Sequence, residues 1–515
     1  MPDWTYQPLR GIAGALLGVR RSQRAALRVL AWTGSLPGGG WAVARLLGHR
    51  HPPPHLAGTA GGVAVRSRLG AAVPPGVARD AVRALPPLGA GFILVEPVAG
   101  LAEVPLVREA AADRRVPVLA RAADPAVAAA LAPYVDAVLP ADGGDGDGRA
   151  HEPDLVHPAS TSVQTAARIL ANPGKSVLAT PALLIEAGPG WFGRVVEAAT
   201  PTGPPSSLRD VGLDPRRWPA WWWGMVVGAV IAVAGLVAAA VALGPVLLWY
   251  DRAFLDMDRE ALHAVNHHLV HFLRHDRITL AGTMVATGVL YVGLSAGGMR
   301  RGWPWAREAY LVSGCLGFAA VLYLFAHGYV EPLHTALAVG LFPVFVAAAR
   351  RPAESPRWTY RPEGPERERR RALTGQLLMV ITGIGLFAGG VAVSVVGLTG
   401  VFVASDLAFL GTGPEALRAA NARLLPFIAH DRAGFGGALM AAAAAITLLS
   451  AWGWRRGESW VWWALAVAAV AGFAPAVVAH LAIGYVDLGH LAPVFLGMAL
   501  TAIALTLSRP YLCAR

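Results

Sequence analysis

Cysteine is almost missing from this chain. Cys315 and Cys513 stand alone in 515 residues and too far apart for a CxxC metal motif or a disulfide framework. Charge is scarce too, at 15% of residues, where a soluble globular protein carries about 25%. Lysine is confined to Lys175, so the formal charge of +11 rests on arginine. A basic surplus raises the question of nucleic acid, but zinc-finger, aromatic RNA-binding and helix-turn-helix patterns are absent, and no nucleic-acid partner is expected. A secretory signal is also lacking, because Arg10 interrupts the opening residues before an apolar core can form. The first segment is therefore expected to be cytoplasmic. What abounds is hydrophobic residues, at 55%, with a mean hydropathy of +0.47.

Those residues are concentrated after Arg217. Eight uncharged runs follow, at 218–250, 278–299, 309–330, 332–349, 372–405, 433–454, 459–486 and 488–508. About 20 apolar residues cross a bilayer as a helix, so eight spans are expected. No Asp, Glu, Lys or Arg falls inside a run, which argues against ion-coupled transport. Arginine sets the orientation. The loops on one side carry 15 Arg, eight of them between Arg350 and Arg371, and the opposite loops carry seven. The positive-inside rule puts both termini in the cytoplasm.

The membrane half is written twice. Asp251, Phe254, Glu260, Asn266 and His275-Asp276-Arg277 recur 155 residues on as Asp406, Phe409, Glu415, Asn421 and His430-Asp431-Arg432. With a one-residue slip, "GYVEPLH" at 328–334 matches "GYVDLGH" at 484–490. Each copy holds four spans, an even number, so the repeats run parallel, with an axis along the membrane normal.

Within each copy the triplet precedes the second span, and the GYV motif joins the third to the fourth. Two outer-face clusters are expected. One holds Asn266, His275, Asp276, Arg277, Tyr329, Glu331 and His334; the other holds Asn421, His430, Asp431, Arg432, Tyr485, Asp487 and His490. The favoured partners are Glu331 for Arg277 and His334 for Asp276. Histidine with carboxylate suits a divalent metal or a polar ligand. The same groups also serve as helix caps and interfacial anchors. His263, His267, His271 and His275 recur every four residues and form a weaker metal candidate on one helical face. His327 and His480 fall in third-span equivalents but do not align with each other, which counts against haem.

Before Arg217 the pattern changes. "FILVE" at 92–96, "VPVLA" at 116–120, "VDAVL" at 135–139 and "SVLAT" at 176–180 read as short buried strands separated by Ala-rich helices at 103–113 and 124–133. This is a βα succession with parallel strands. "DGGDGDGRAHEPD" at 142–154 reads as a linker.

The segment resembles class 2, quinone-linked dihydroorotate dehydrogenases. The opening residues look like that family's paired membrane-contacting helices. "GGVAVRSRLGAAVPPGVARDAVRALPPLGAGFILVEPV" looks like its first two barrel strands with the flavin loop. "VLATPALLIEAGPGWFGRVV" looks like its last strand with a phosphate-side turn at Gly188-Pro189-Gly190. The resemblance implies a barrel that holds FMN and feeds quinone. A full barrel takes about 250 residues, and this stretch is shorter. The loop Gly70–Gly76 lacks the family's Lys, and the blocks bearing its catalytic Ser and second Lys have no counterpart.

The expected architecture is an α-helical multi-pass bundle of eight spans in two parallel four-helix repeats, preceded by a small, partial TIM-barrel-like α/β domain. Its divisions are an amphipathic helical region 1–50, a truncated barrel 51–215, repeats 216–350 and 372–515, and a linker 351–371. The expected role is non-enzymatic ligand sensing, transport or scaffolding in the plasma membrane, with no cofactor. The alternative is an FMN oxidoreductase passing electrons to quinone. Expected partners are the bilayer and an unknown small ligand or quinone.

Overall fold

The computed structural model describes residues 2–46, 53–140, 154–200, 203, 205–324, 328–358 and 364–514. Most of the linker 142–154, part of the linker 351–371, and His327 lie outside the described residues. The chain forms two compact units, one of residues 1–202 with 358–363, the other of 203–357 with 364–515.

The first unit starts with three amphipathic helices, Gln7–Leu17, Val19–Ser35 and Gly39–Leu46. They leave Ile12, Leu16, Val29 and Trp32 exposed. Gly58–Ala60 (β1) and Val63–Val65 (β2) make an antiparallel hairpin. Six strands then form one parallel sheet: Leu69–Val73 (β3), Ile93–Val95 (β4), Val118–Arg121 (β5), Ala137–Leu139 (β6), Leu155–Val156 (β7) and Ser176–Ala179 (β8). Their spatial order is β6-β5-β4-β3-β8-β7. The first strand of the sheet thus lies beside the last, as in a closed barrel, while β6 and β7 are free edges: a half-barrel. The four expected strands coincide with β4, β5, β6 and β8. Most of these segments read as continuous apolar runs because parallel strands are buried on both faces. Helices cover one face, where Val82, Val107, Val127 and Val195 pack against Ile93 and Val118. The hairpin covers the other, where Ala60 and Val65 meet Leu94, Leu119 and Leu178.

The second unit is helical. Among the described residues, seven helices are long and apolar enough to cross a membrane: Ala220–Leu243, Leu269–Arg301 (with a π turn and a 3-10 turn at its end), Pro332–Arg350, Glu366–Leu398, Leu424–Gly453, Ser459–Ile483 and Leu488–Leu512. Pro304–Leu324 is an eighth long helix, with Arg307 and Glu308 in its first turns. The helices starting at Leu269 and Leu424 are the most buried, and the other candidate spans are a third buried or less. These two form the centre and pack on each other. Leu269–Gly293 also packs on Ala220–Leu243 and on Ser459–Ile483; Leu424–Gly453 packs on Glu366–Leu398 and on Pro304–Leu324. Close approach needs glycine. A Cβ on Gly288 would lie 2.5 Å from the Gly228 carbonyl oxygen, and one on Gly436 would lie 2.7 Å from that of Gly390. Small residues at crossings are the usual device for packing helices in lipid.

One expectation is corrected here. The two triplets do not sit before their helices. They lie inside them, because the helices begin at Leu269 and Leu424. Asp276 and Asp431 are therefore buried acids within candidate spanning helices.

Candidate functional site

The repeated polar residues converge between the two central helices, in a pattern that crosses from one half to the other. Arg277 donates from Nε to Asp431 Oδ2 at 2.8 Å and from Nη1 to Asp251 Oδ2 at 2.8 Å. Arg432 does the reciprocal: Nε to Asp276 Oδ2 at 3.3 Å and Nη1 to Asp406 Oδ2 at 2.6 Å. Each guanidinium also lies over a phenyl ring of the other half, Arg277 over Phe427 at 5.0 Å and Arg432 over Phe272 at 4.8 Å. A buried charge is tolerable only when paired and hydrogen-bonded, and here every guanidinium has two carboxylates.

Local structure positions the acids. Asp251 and Asp406 stand third in the short helices Trp249–Leu255 and Ala404–Leu410, where they also accept from the N–H groups of Leu248 and Val403 at 2.9 and 2.7 Å. Just upstream, Val246 and Val401 both have φ of 65°. That is strained for a β-branched residue. The conformation aims each carbonyl at a guanidinium: Arg277 Nη1 donates to Val246 O at 2.6 Å, and Arg432 Nη1 to Val401 O at 2.9 Å.

Tyrosines complete the acids' shells. The Tyr329 hydroxyl donates to Asp251, and that of Tyr485 to Asp406 at 2.8 Å. Burial, then the neighbouring carboxylate, pushes the Tyr329 phenol well above its ordinary value. Burial does the same at Tyr485, where the Ser405 hydroxyl opposes it and Asp406 adds to it. Asn266 and Asn421 tie the loops across: Asn266 Nδ2 donates to Leu410 O at 2.8 Å, and Asn421 Nδ2 to Leu255 O at 2.6 Å.

The histidines also change sides. His275 shares a proton with Asp276 (Nδ1 to Oδ1, 3.0 Å), and its ring meets His480 at 4.1 Å, Tyr485 at 5.9 Å and His490 at 6.3 Å, all in the second half. His430 pairs with Asp431 at 3.2 Å, and its ring meets Tyr329 at 4.9 Å and His334 at 6.3 Å, in the first half. The expected grouping by copy is thus corrected: His275 is surrounded by rings of the second half, and His430 by rings of the first. The expected partners of Arg277 and Asp276 are corrected as well. Glu331 caps the Pro332–Arg350 helix, accepting from the His334 N–H. Asp487 caps Leu488–Leu512 through the His490 N–H at 2.6 Å.

The four-histidine face is divided. The helix Arg259–Val265 ends before Asn266, so His263, His267 and His271 do not share one continuous helix. Their rings still meet, edge-on at 4.7 Å for His263–His267 and tilted at 5.8 Å for His267–His271, near the surface, while His275 is buried. Among the described residues, the group able to hold a metal is His275, His480 and His490, with one ligand atom from each lying within 4.8 Å of the others. His480 was absent from the expected clusters because it has no partner at the repeat offset. Asp251 and Asp406 were visible in the repeat but not assigned to the clusters.

Two apolar cavities of about 130 Å³ each flank the central pair. One is lined by Thr287, Tyr291, Phe318, Leu341 and His334. The other is lined by Thr279, Thr283, Phe435, Phe473 and Ala476, one helical turn from His480.

In the first unit, the Gly188-Pro189-Gly190 turn opens the helix Trp191–Ala199. The Gly190 N–H donates to Asp3 Oδ1 at 2.7 Å, and Arg194 pairs with the same buried carboxylate. An acid from the chain's own start therefore occupies the turn that the dehydrogenase resemblance gives to a phosphate. Comparison with family models, with curated proteins and with solved structures finds no match.

Proposed function

We propose that this chain is an eight-span protein of the plasma membrane, built from two parallel repeats with both termini in the cytoplasm, that binds a small ligand without transforming it, to sense or carry it. The single observation behind this reading is the exchange at the centre. Each recurring histidine is held by a buried carboxylate and delivered into the opposite half's aromatic corner, and an apolar cavity is lined one helical turn further on, at Thr279 after His275 and at Gly434 after His430. Ligand pockets are mostly apolar with a few fixed polar groups, and these two have that make-up. A ligand touching both halves would bias how they pack, as sensing and carriage require. The half-barrel is read as a degenerate relative of the quinone-linked dehydrogenases, kept as a scaffold. Asp3 in the Gly188-Pro189-Gly190 turn supports that reading, since it competes for the position of a flavin phosphate.

Two measurements test the proposal. Native mass spectrometry of protein gently extracted from its membrane should show the chain carrying a small non-covalent adduct, and its visible spectrum should lack a flavin band. Bound FMN with oxidation of dihydroorotate would instead establish the oxidoreductase. For topology, with Cys315 and Cys513 replaced by Ser, a membrane-impermeant thiol reagent should label Arg423→Cys in intact cells and spare Arg367→Cys. The opposite pattern would invert the orientation.

A further inference from the structure

We propose that His275, His480 and His490 form a site for one divalent transition-metal ion, zinc in the first instance. This deepens the ligand-binding reading by naming the chemical class that one of its two corners accepts.

Two ring nitrogens are buried and orphaned. His275 and His480 are 6% and 3% exposed. In both, Nε2 is buried and has no hydrogen-bond partner. Buried polar atoms are nearly always satisfied, and an exception calls for a cause. The opposite ring nitrogen shows which form each imidazole takes. His480 Nδ1 faces the Ala476 carbonyl at 2.7 Å, and a carbonyl can only accept, so Nδ1 carries the proton. His275 Nδ1 faces Asp276 Oδ1 at 3.0 Å, and the carboxylate accepts in the same way. In the neutral rings Nε2 is then an unused lone pair on both His275 and His480. Metal-binding histidines are oriented in this manner, with the far nitrogen bonded to a carboxylate or a backbone carbonyl.

The third ring is close. His490 lies 5.2 Å from His480 between ring centroids, and the three ligand atoms fall within 4.8 Å of one another. Around zinc with bonds of about 2.0–2.1 Å, tetrahedral nitrogens sit roughly 3.3 Å apart. Closing the triad thus takes up to about 1.5 Å of ring movement. His490 can supply it, since it stands in the first turn of its helix and is only partly buried. Three neutral imidazoles select zinc, copper, iron or nickel over calcium or magnesium. A fourth position remains for water or an exchangeable ligand, the arrangement of an open rather than a structural zinc site.

Charge favours the same conclusion. The adjoining network sets four buried carboxyl groups, Asp251, Asp276, Asp406 and Asp431, against two guanidiniums. A dication beside this surplus of acid is electrostatically welcome.

The test uses the full chain in detergent, stripped with a chelator and then loaded with Zn²⁺ or Co²⁺. Elemental analysis after gel filtration should give one zinc per chain, and cobalt should develop the visible bands of a four-coordinate site. His490→Gln and His480→Asn should each weaken zinc binding about 100-fold or more. The triple variant His263→Ala/His267→Ala/His271→Ala should keep it, because those rings lie outside the site. Circular dichroism confirms that each variant is folded, and His490, at a helix start, is the change least able to harm folding. Zinc retained in folded His490→Gln but lost in the surface triple variant would overturn the proposal, as would a folded wild-type chain that takes up no zinc. If the chain binds an organic adduct but no zinc, the metal site fails while the ligand-binding reading stands. If it binds zinc at this triad but no organic adduct, the metal site stands by itself.

Discussion

Arg277 donates its Nε–H to Asp431 at 2.8 Å, across 154 residues of chain and from one half of the helical unit to the other. The mirror contact, from Arg432 to Asp276, is 3.3 Å. Neither pair can form within one half, so the two halves are held in one fixed relation by bonds that exist only between them. Removing one partner of a buried pair leaves the other's charge uncompensated, at a cost of roughly 3–5 kcal/mol. Such a lock makes the interface between the halves specific, and it carries His275 and His430 to their places.

The glycine crossings give a first prediction. Gly288→Ala puts a methyl against the Gly228 backbone, and overpacking of this kind costs about 1–3 kcal/mol. Gly340→Ala, at a helical position with no atom within 4 Å of the added carbon, should cost nothing. Melting temperatures in the same detergent check both. Equal losses would mean that the first and second helices do not approach as described.

Alkaline pH supplies a second. The Tyr329 and Tyr485 phenols are held above their ordinary value, first by burial. Their contribution to stability is complete below the unfolded value of about 10 and falls as pH rises beyond it, because the unfolded state then releases the proton more readily. Stability measured from pH 8 to 12 should decline on the alkaline side. The decline should be shallower in Tyr329→Phe/Tyr485→Phe. An unchanged slope in that variant would show that neither phenol is linked to folding.

A third concerns the half-barrel. Asp3→Ala removes the acceptor of the Gly190 N–H and the partner of Arg194. The first unit should lose about 3–5 kcal/mol, the range for breaking a buried ion pair. Added FMN should not restore the loss. Recovery of stability with FMN would show that the Gly188-Pro189-Gly190 turn still accepts a phosphate.

Much of this was legible in the residues. The strands β4, β5, β6 and β8 appear as short apolar runs, whereas β7, two residues long, adjoins an acidic glycine-rich stretch and leaves no pattern. The triplets were visible through their common offset. Their place inside helices was not, because hydropathy rises only after Arg277 and Arg432, while the helices start earlier, at the turns where Asn266 and Asn421 accept from the N–H groups of His268 and Arg423. The exchange between halves was also hidden. A repeat offset is satisfied equally by contacts within a copy and by reciprocal contacts between copies, so Glu331 looked as good a partner for Arg277 as Asp431. His480 escaped because the repeat does not contain its counterpart.

The exchange itself is tested most directly by a double-mutant cycle on Arg277. Arg277→Ala, Asp431→Ala and Glu331→Ala are made singly, and the arginine change is then combined with each acid change. Unfolding free energies are measured in one detergent. Arg277 and Asp431 should couple by at least about 1 kcal/mol, as contacting residues do, and this coupling should exceed the one between Arg277 and Glu331. Additive losses for Arg277 with Asp431, beside a strong coupling of Arg277 to Glu331, would contradict it and return each cluster to its own half.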